Sequence, residues 1–180
     1  MVGRVNDNDG LWTAMYAVGQ LFEWLVTGSE SAEIQLNLAL DGIHFLNNVS
    51  GVIGFPSRSY DYPENDPAQY GGIWHVNEEN GYSWKADTSS DEIVGHQLIA
   101  TLVSRFYPKR AIEFATIQLD MMKYICDNGY QLIDAFTGER TRWGFWDPES
   151  LLMDPDNYSE KLSNSVEILS WLVAANTTVR

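Results

Sequence analysis

The sequence predicts an all-α chain built from helical hairpins, on three observations. Apolar residues recur at spacings of three and four, glycines and prolines cut that pattern into about five segments, and the cuts alternate between short links and long polar stretches.

From Leu11 to Thr27 the residues Leu11, Met15, Val18, Phe22 and Leu25 keep the helical period, and Gly28 supplies a stop. A second helix spans about Glu30 to Asn48. There Ile34, Leu38, Phe45 and Val49 make one stripe, which Leu36, Leu40 and Ile43 widen. Between Gly51 and Asp87 the pattern breaks at Pro56, Pro63, Pro67 and Gly71-Gly72, so a long loop with at most a short hairpin is expected. A third helix starts near Ser89 and carries Ile93, Leu98, Ile99, Leu102, Val103 and Phe106. Pro108 then stands at the predicted start of a fourth, which ends near Asp127 before Gly129. Tyr130 to Trp146 contains the turn signal Thr137-Gly138 and reads as a β-hairpin or an extended excursion. A fifth helix, from about Glu160 to Asn176, follows on Val166, Leu169, Leu172 and Val173. The order amounts to two and a half hairpins in a single domain over residues 1–180, with every long polar segment on one face. That face is where chemistry is expected.

A hydrophobic content of 44% is enough for a core, and a net charge of −14 repels a phosphate backbone, so nucleic acid is not an expected partner. No apolar run approaches the ~18 residues of a membrane span, so no membrane partner is expected either. The single Cys126 falls in an apolar helical stretch and reads as an inert thiol. Nothing at the start resembles a signal peptide, yet sequons at Asn48, Asn157 and Asn176 suit a secreted or periplasmic protein, the favoured but open localisation.

The segment Asn6-Asp7-Asn8-Asp9-Gly10 suggests a calcium loop. An EF-hand register would place Val5 and Tyr16 at ligand positions, so no metal is expected, and no cofactor. Asp7 or Asp9 either caps the first helix or holds a carboxylate at a cleft. In Tyr82 to Glu92, Thr88 with Asp91 and Ser89 with Glu92 both have capping-box spacing. Asp87, Asp91 and Glu92 are crowded enough for one carboxyl to be held protonated beside an ionised neighbour. His96, one helical turn after Glu92, is a candidate proton shuttle or a packed core residue. Trp12, Trp74, Trp84, Trp143 and Trp146 concentrate in or beside the long segments, where they could stack on sugar rings or fill the core. Arg58, Lys85, Arg140 and Arg142 bring positive charge to the same segments, either for an anionic sugar or for pairing with acids such as Asp61 and Glu139.

The stretches NDNDGLWTAMY at 6–16, GFPSRSY at 54–60, WKADTSSDEIVGH at 84–96, NGYQLIDAFTGERTRWGFW at 128–146 and LSNSVEILSWL at 162–172 resemble an incompletely characterised family of α/α-toroid proteins. That family is related in fold to the six-hairpin glycosidases and toroidal polysaccharide lyases. The resemblance implies a partial α/α toroid of about five helices, a fragment of a larger domain, with its cleft at the N-termini of alternate helices. It also implies a carbohydrate-active domain, a glycoside hydrolase or a polysaccharide lyase, acting on an oligo- or polysaccharide. Candidate catalytic residues are Asp9, Asp87, Asp91 and His96; candidate substrate-binding residues are Trp12, Arg58, Trp84, Lys85, Arg142 and Trp143. The competing expectation is a non-catalytic helical module binding glycans or protein. An open toroid edge should leave apolar surface and drive self-association.

Overall fold

The computed structural model describes residues 7–178; Val5 and Asn6 of the acidic segment lie outside the described residues. Two antiparallel helical hairpins come first. α1 (Asp9–Thr27) turns at Gly28, whose left-handed φ of 67° lets its N–H reach the Trp24 carbonyl at 2.8 Å, and returns as α2 (Glu30–Asn48). Ser29 caps α2 by accepting from the Ala32 amide at 3.2 Å. α3 (Ser90–Phe106) and α4 (Ala111–Asp127) make the second hairpin.

The segment between the hairpins is more ordered than a loop with one hairpin. It forms β1 (Ser59–Asp61), β2 (Trp74–Val76) and β3 (Ser83–Lys85) in one antiparallel sheet ordered β1-β3-β2, with Trp84 facing both Tyr60 and His75 across the strands. Three residues per strand is too short for periodicity to register. After α4, β4 (Gln131–Ile133) and β5 (Arg140–Phe145) form the expected hairpin, with an irregular register between Gln131 and Ile133. A short α5 (Pro148–Met153), capped by Asp147, was not expected; with a 3₁₀ turn it leads into α6 (Lys161–Thr178), the helix expected fifth.

α1 packs against α2 and α3, and α6 against α3 and α4, so α1, α3 and α6 lie side by side with α2 and α4 behind them. The α1/α3 contact is close because of glycine: a Cβ on Gly95 would come within 2.6 Å of the Leu11 Cα. Leu21, Leu36, Leu40, Ile43, Val103 and Phe114 fill one core among the first four helices. Phe55, Trp84, Ile93, Leu132, Trp146 and Trp171 fill a second between the sheet, the β-hairpin and α6. At the back, Arg110 pairs with Asp41 at 2.7 Å and Glu113 at 2.6 Å, tying α4 to α2. None of the helices is long and apolar enough to cross a membrane among the described residues.

Several local expectations are corrected. Pro108 lies in the turn before α4, whose N-cap is Arg110. Neither Asp7 nor Asp9 caps α1; the N-cap is Asn8, in a left-handed conformation with φ 67° and no side-chain cap bond. Neither capping box forms at α3, because Thr88 donates to the Pro56 carbonyl at 2.8 Å and Glu92 reaches across to α1. Cys126 is half-buried and free, its thiol pushed up by burial and then by Asp127, which suits an inert side chain.

Candidate functional site

The starts of α1 and α3 are joined by a polar network. Asn8 donates from Nδ2 to Asp91 Oδ2 at 2.6 Å, while its Oδ1 accepts from Arg58 Nη2 at 2.8 Å. Arg58 also donates from Nη1 to the Asp87 carbonyl at 2.9 Å and pairs with Asp7 at 3.8 Å. Ser89 donates to the other oxygen of Asp91, so both of its oxygens are oriented. Lys85 pairs with Asp7, and Ser59 donates to Asp9. The Lys85 hydrogen bond, with Arg58 nearby, holds the Asp7 carboxyl below its ordinary range despite some burial.

Beside this network opens a groove of about 400 Å³ lined by Arg58, Ser89, Ser90, Asp91, Trp143, Glu160, Ser163 and Glu167. Its walls are the start of α3, the end of β5 and the first turns of α6, and Asn164 ties the last two together by donating to the Phe145 carbonyl at 2.8 Å. Glu167 accepts from the Trp146 indole at 2.9 Å. Burial raises the Glu167 carboxyl above its ordinary range and the charges of Asp91 and Glu160 add to that, outweighing the indole hydrogen bond. The groove thus holds one acid biased toward its protonated form and a second whose oxygens are fixed, the usual ingredients of general acid and base work.

Of the ten residues expected at the site, Arg58, Asp91 and Trp143 line this groove. Trp143 is 40% exposed, and the Arg142 guanidinium stands 4.5 Å from its ring centre. Trp12 is exposed on α1 and does not line the groove. Asp9 and half-buried Asp87 belong to the supporting network. Three expectations are corrected. Trp84 is fully buried against Phe55, His75 and Phe136, so it is core and not a stacking platform. Lys85 is buried and spent on Asp7, leaving no charge for a substrate. His96 is fully buried, and burial lowers its pKa to about 4. It sits 2.9 Å from the Asn47 amide nitrogen as a neutral packing residue and shuttles no proton at the groove.

One carboxyl of the crowded trio is raised, but by burial in the core rather than by crowding: Glu92 is pushed to about 8 by burial, against the Leu11 and Gly10 amides, with Asp91 adding less. No family model, curated protein or solved structure matches the chain. Among the described residues no group of three or more His, Cys, Asp or Glu side chains is placed to hold a metal ion. Glu167, Glu160 and Asn8 were not among the expected residues. The available signal was Glu167 itself, the one acid in an otherwise apolar and small-polar stretch from Leu162 to Ala175.

Proposed function

We propose that the groove cleaves a glycosidic bond, with Glu167 as the general acid, Asp91 as base or nucleophile, and Trp143 as a platform for a sugar ring. The observation that carries this reading is the pairing of a carboxyl raised above its ordinary range, Glu167, with an oriented carboxylate, Asp91, in one groove. Hydrolysis needs that division of labour, one group donating to the leaving oxygen while the other attacks or activates water. A lyase reading has less support, because Lys85 is spent on Asp7 and two of the three Arg58 nitrogens already donate to Asn8 and to the Asp87 carbonyl.

We also propose that α1, α3 and α6 are inner helices and α2 and α4 outer helices of an α/α-toroid segment related to the six-hairpin glycosidases. The side-by-side order of α1, α3 and α6 and the position of the groove at the starts of α3 and α6 support it. A non-catalytic glycan-binding module is the second reading, favoured by the number of acids and tryptophans spent on structure: Asp7, Asp9, Glu92, Trp84 and Trp171.

Reducing-end release from a panel of oligosaccharides tests the enzyme reading. Asp91→Asn and Glu167→Gln should each lower a measured rate by about 100-fold or more, the usual scale of acid–base assistance. Unsaturated products would point to a lyase instead. A ligand-dependent change in tryptophan fluorescence with no cleavage at all would leave only the binding module.

A further inference from the structure

Trp146 lies behind the groove and does not line it, yet it makes the one hydrogen bond that Glu167 receives among the described residues. The indole is held on three sides. Its backbone N–H donates to the Tyr130 carbonyl at 2.8 Å, and its ring is buried edge-on against Trp171 at 5.2 Å between centres. Its Nε1 donates to Glu167 Oε2 at 2.9 Å. Trp171 follows Glu167 by four residues on α6, and Asn164, one turn before Glu167, donates to the carbonyl of Phe145. Three successive turns of α6 are thus registered against residues 145 and 146, with Glu167 at the middle one.

An indole N–H donates and cannot accept, so the oxygen it contacts has to be an acceptor whether or not the carboxyl is protonated. The proton of Glu167 is then left to Oε1. That oxygen has no partner among the described residues and is not buried, so it opens on the groove that Glu167 lines. Burial pushes the Glu167 carboxyl up, the indole hydrogen bond pulls it down, and the charges of Asp91 on α3 and Glu160 before α6 push it up again. Arg58 is the cation of the same lining. The indole therefore favours release of the proton that the surroundings favour keeping.

We propose that Trp146 is the positioning residue of Glu167, confining its proton to Oε1, the oxygen that faces the groove, and fixing the carboxyl in one orientation. The proposal rests on the reading of Glu167 as general acid and adds the group that controls it.

Carboxyl-carbon NMR titration of Glu167 in the full chain tests this, with wild type beside Trp146→Phe, which keeps a ring against Trp171 and removes the donor. The Glu167 midpoint is expected to rise by about one pH unit in the variant, because the lost bond favours the ionised form. With any oligosaccharide that is cleaved, the alkaline limb of the kcat profile should move up by the same amount, and kcat should fall severalfold while KM changes less than about twofold. A second measurement needs no change at Trp146: the wild-type Trp146 indole proton should shift with the Glu167 midpoint, and Glu167→Gln should abolish that inflection. A Glu167 midpoint unmoved in folded Trp146→Phe, or an indole proton that ignores the Glu167 titration, overturns the proposal. Both NMR responses without cleavage of any oligosaccharide would remove the general-acid role and leave the placement of the proton standing.

Discussion

Glu92 gives the fold a pH dependence that can be worked out from its surroundings. Its side chain is fully buried and accepts from the Gly10 amide at 3.0 Å and the Leu11 amide at 3.4 Å, and folding moves its pKa from 4.5 to about 8. A carboxyl whose proton affinity is raised by folding supports the native state fully below about 4.5, where both states carry the proton, and loses that support as pH climbs through about 8. At about 1.36 kcal/mol per decade of proton affinity, the loss between pH ~5.5 and ~8 is about 3 kcal/mol. Glu92→Gln keeps an acceptor for the two amides and cannot ionise. Any fixed cost of the substitution is the same at both pH values, so stability of the variant relative to the wild type should rise by about 3 kcal/mol between them. Urea unfolding followed by tryptophan fluorescence, with both proteins at each pH, reads that difference directly. His96, whose depressed pKa removes stability as pH falls from 6.5 through about 4, acts in both proteins and cancels in the comparison. A relative stability that stays constant within ~1 kcal/mol across this range would refute the reasoning, since it would mean Glu92 is ionised or solvated in the native state.

Other perturbations have equally definite outcomes. Gly95→Ala should lower stability by roughly 1–3 kcal/mol in thermal denaturation, because the added Cβ meets the Leu11 backbone at 2.6 Å and a backbone atom cannot swing aside. Trp84→Ala should cost about 3–5 kcal/mol, whereas Trp143→Ala, on a ring that is 40% exposed, should leave the melting temperature nearly unchanged and abolish any saccharide-induced fluorescence change. On α6, Leu162, Val166, Leu169 and Val173 are all more than half exposed along one stripe, and α1 exposes Trp12, Phe22 and Val26. Sedimentation velocity should therefore show self-association that the double change Val166→Glu and Leu169→Glu reduces; a wild-type chain monomeric at high concentration would contradict this.

Helices α1 to α4 and α6 were legible within two or three residues because each carries an apolar stripe over four or more turns and most are punctuated by glycine or proline. α5 and the three short strands carried no such signal; Pro148 and Asp147 marked the start of α5, but six residues leave no room for a period. The long polar segments supply Arg58, Ser89 and Trp143 to the groove, yet residue type alone does not tell which of their residues face solvent. Trp84 and Trp143 have similar local contexts in the sequence. Trp84 lies in the middle strand of a three-stranded sheet and is covered on both sides, while Trp143 belongs to an edge of a two-stranded ribbon. His96 and Glu92 were placed on one helical face, and they share it, but the face meets Gly10 of α1, where a side chain would come within 2.4 Å of His96 Nε2. Glu167 was not legible in the sequence because its partner groups, Asp91 and Trp146, are distant in the chain and only the packing of α6 brings them near.

The Asn8 side chain bridges two residues far along the chain, Arg58 fifty positions away and Asp91 eighty-three. Hairpins α1/α2 and α3/α4 can each close through short turns at low entropic cost, but this bridge requires both hairpins and the intervening sheet to be in place. During refolding, helical signal should therefore recover before the groove exists. A species with most of its secondary structure and no assembled groove is the expected kinetic intermediate, and loosening only the start of α1 would release Arg58 and Asp91 from Asn8 while leaving the rest of the chain folded.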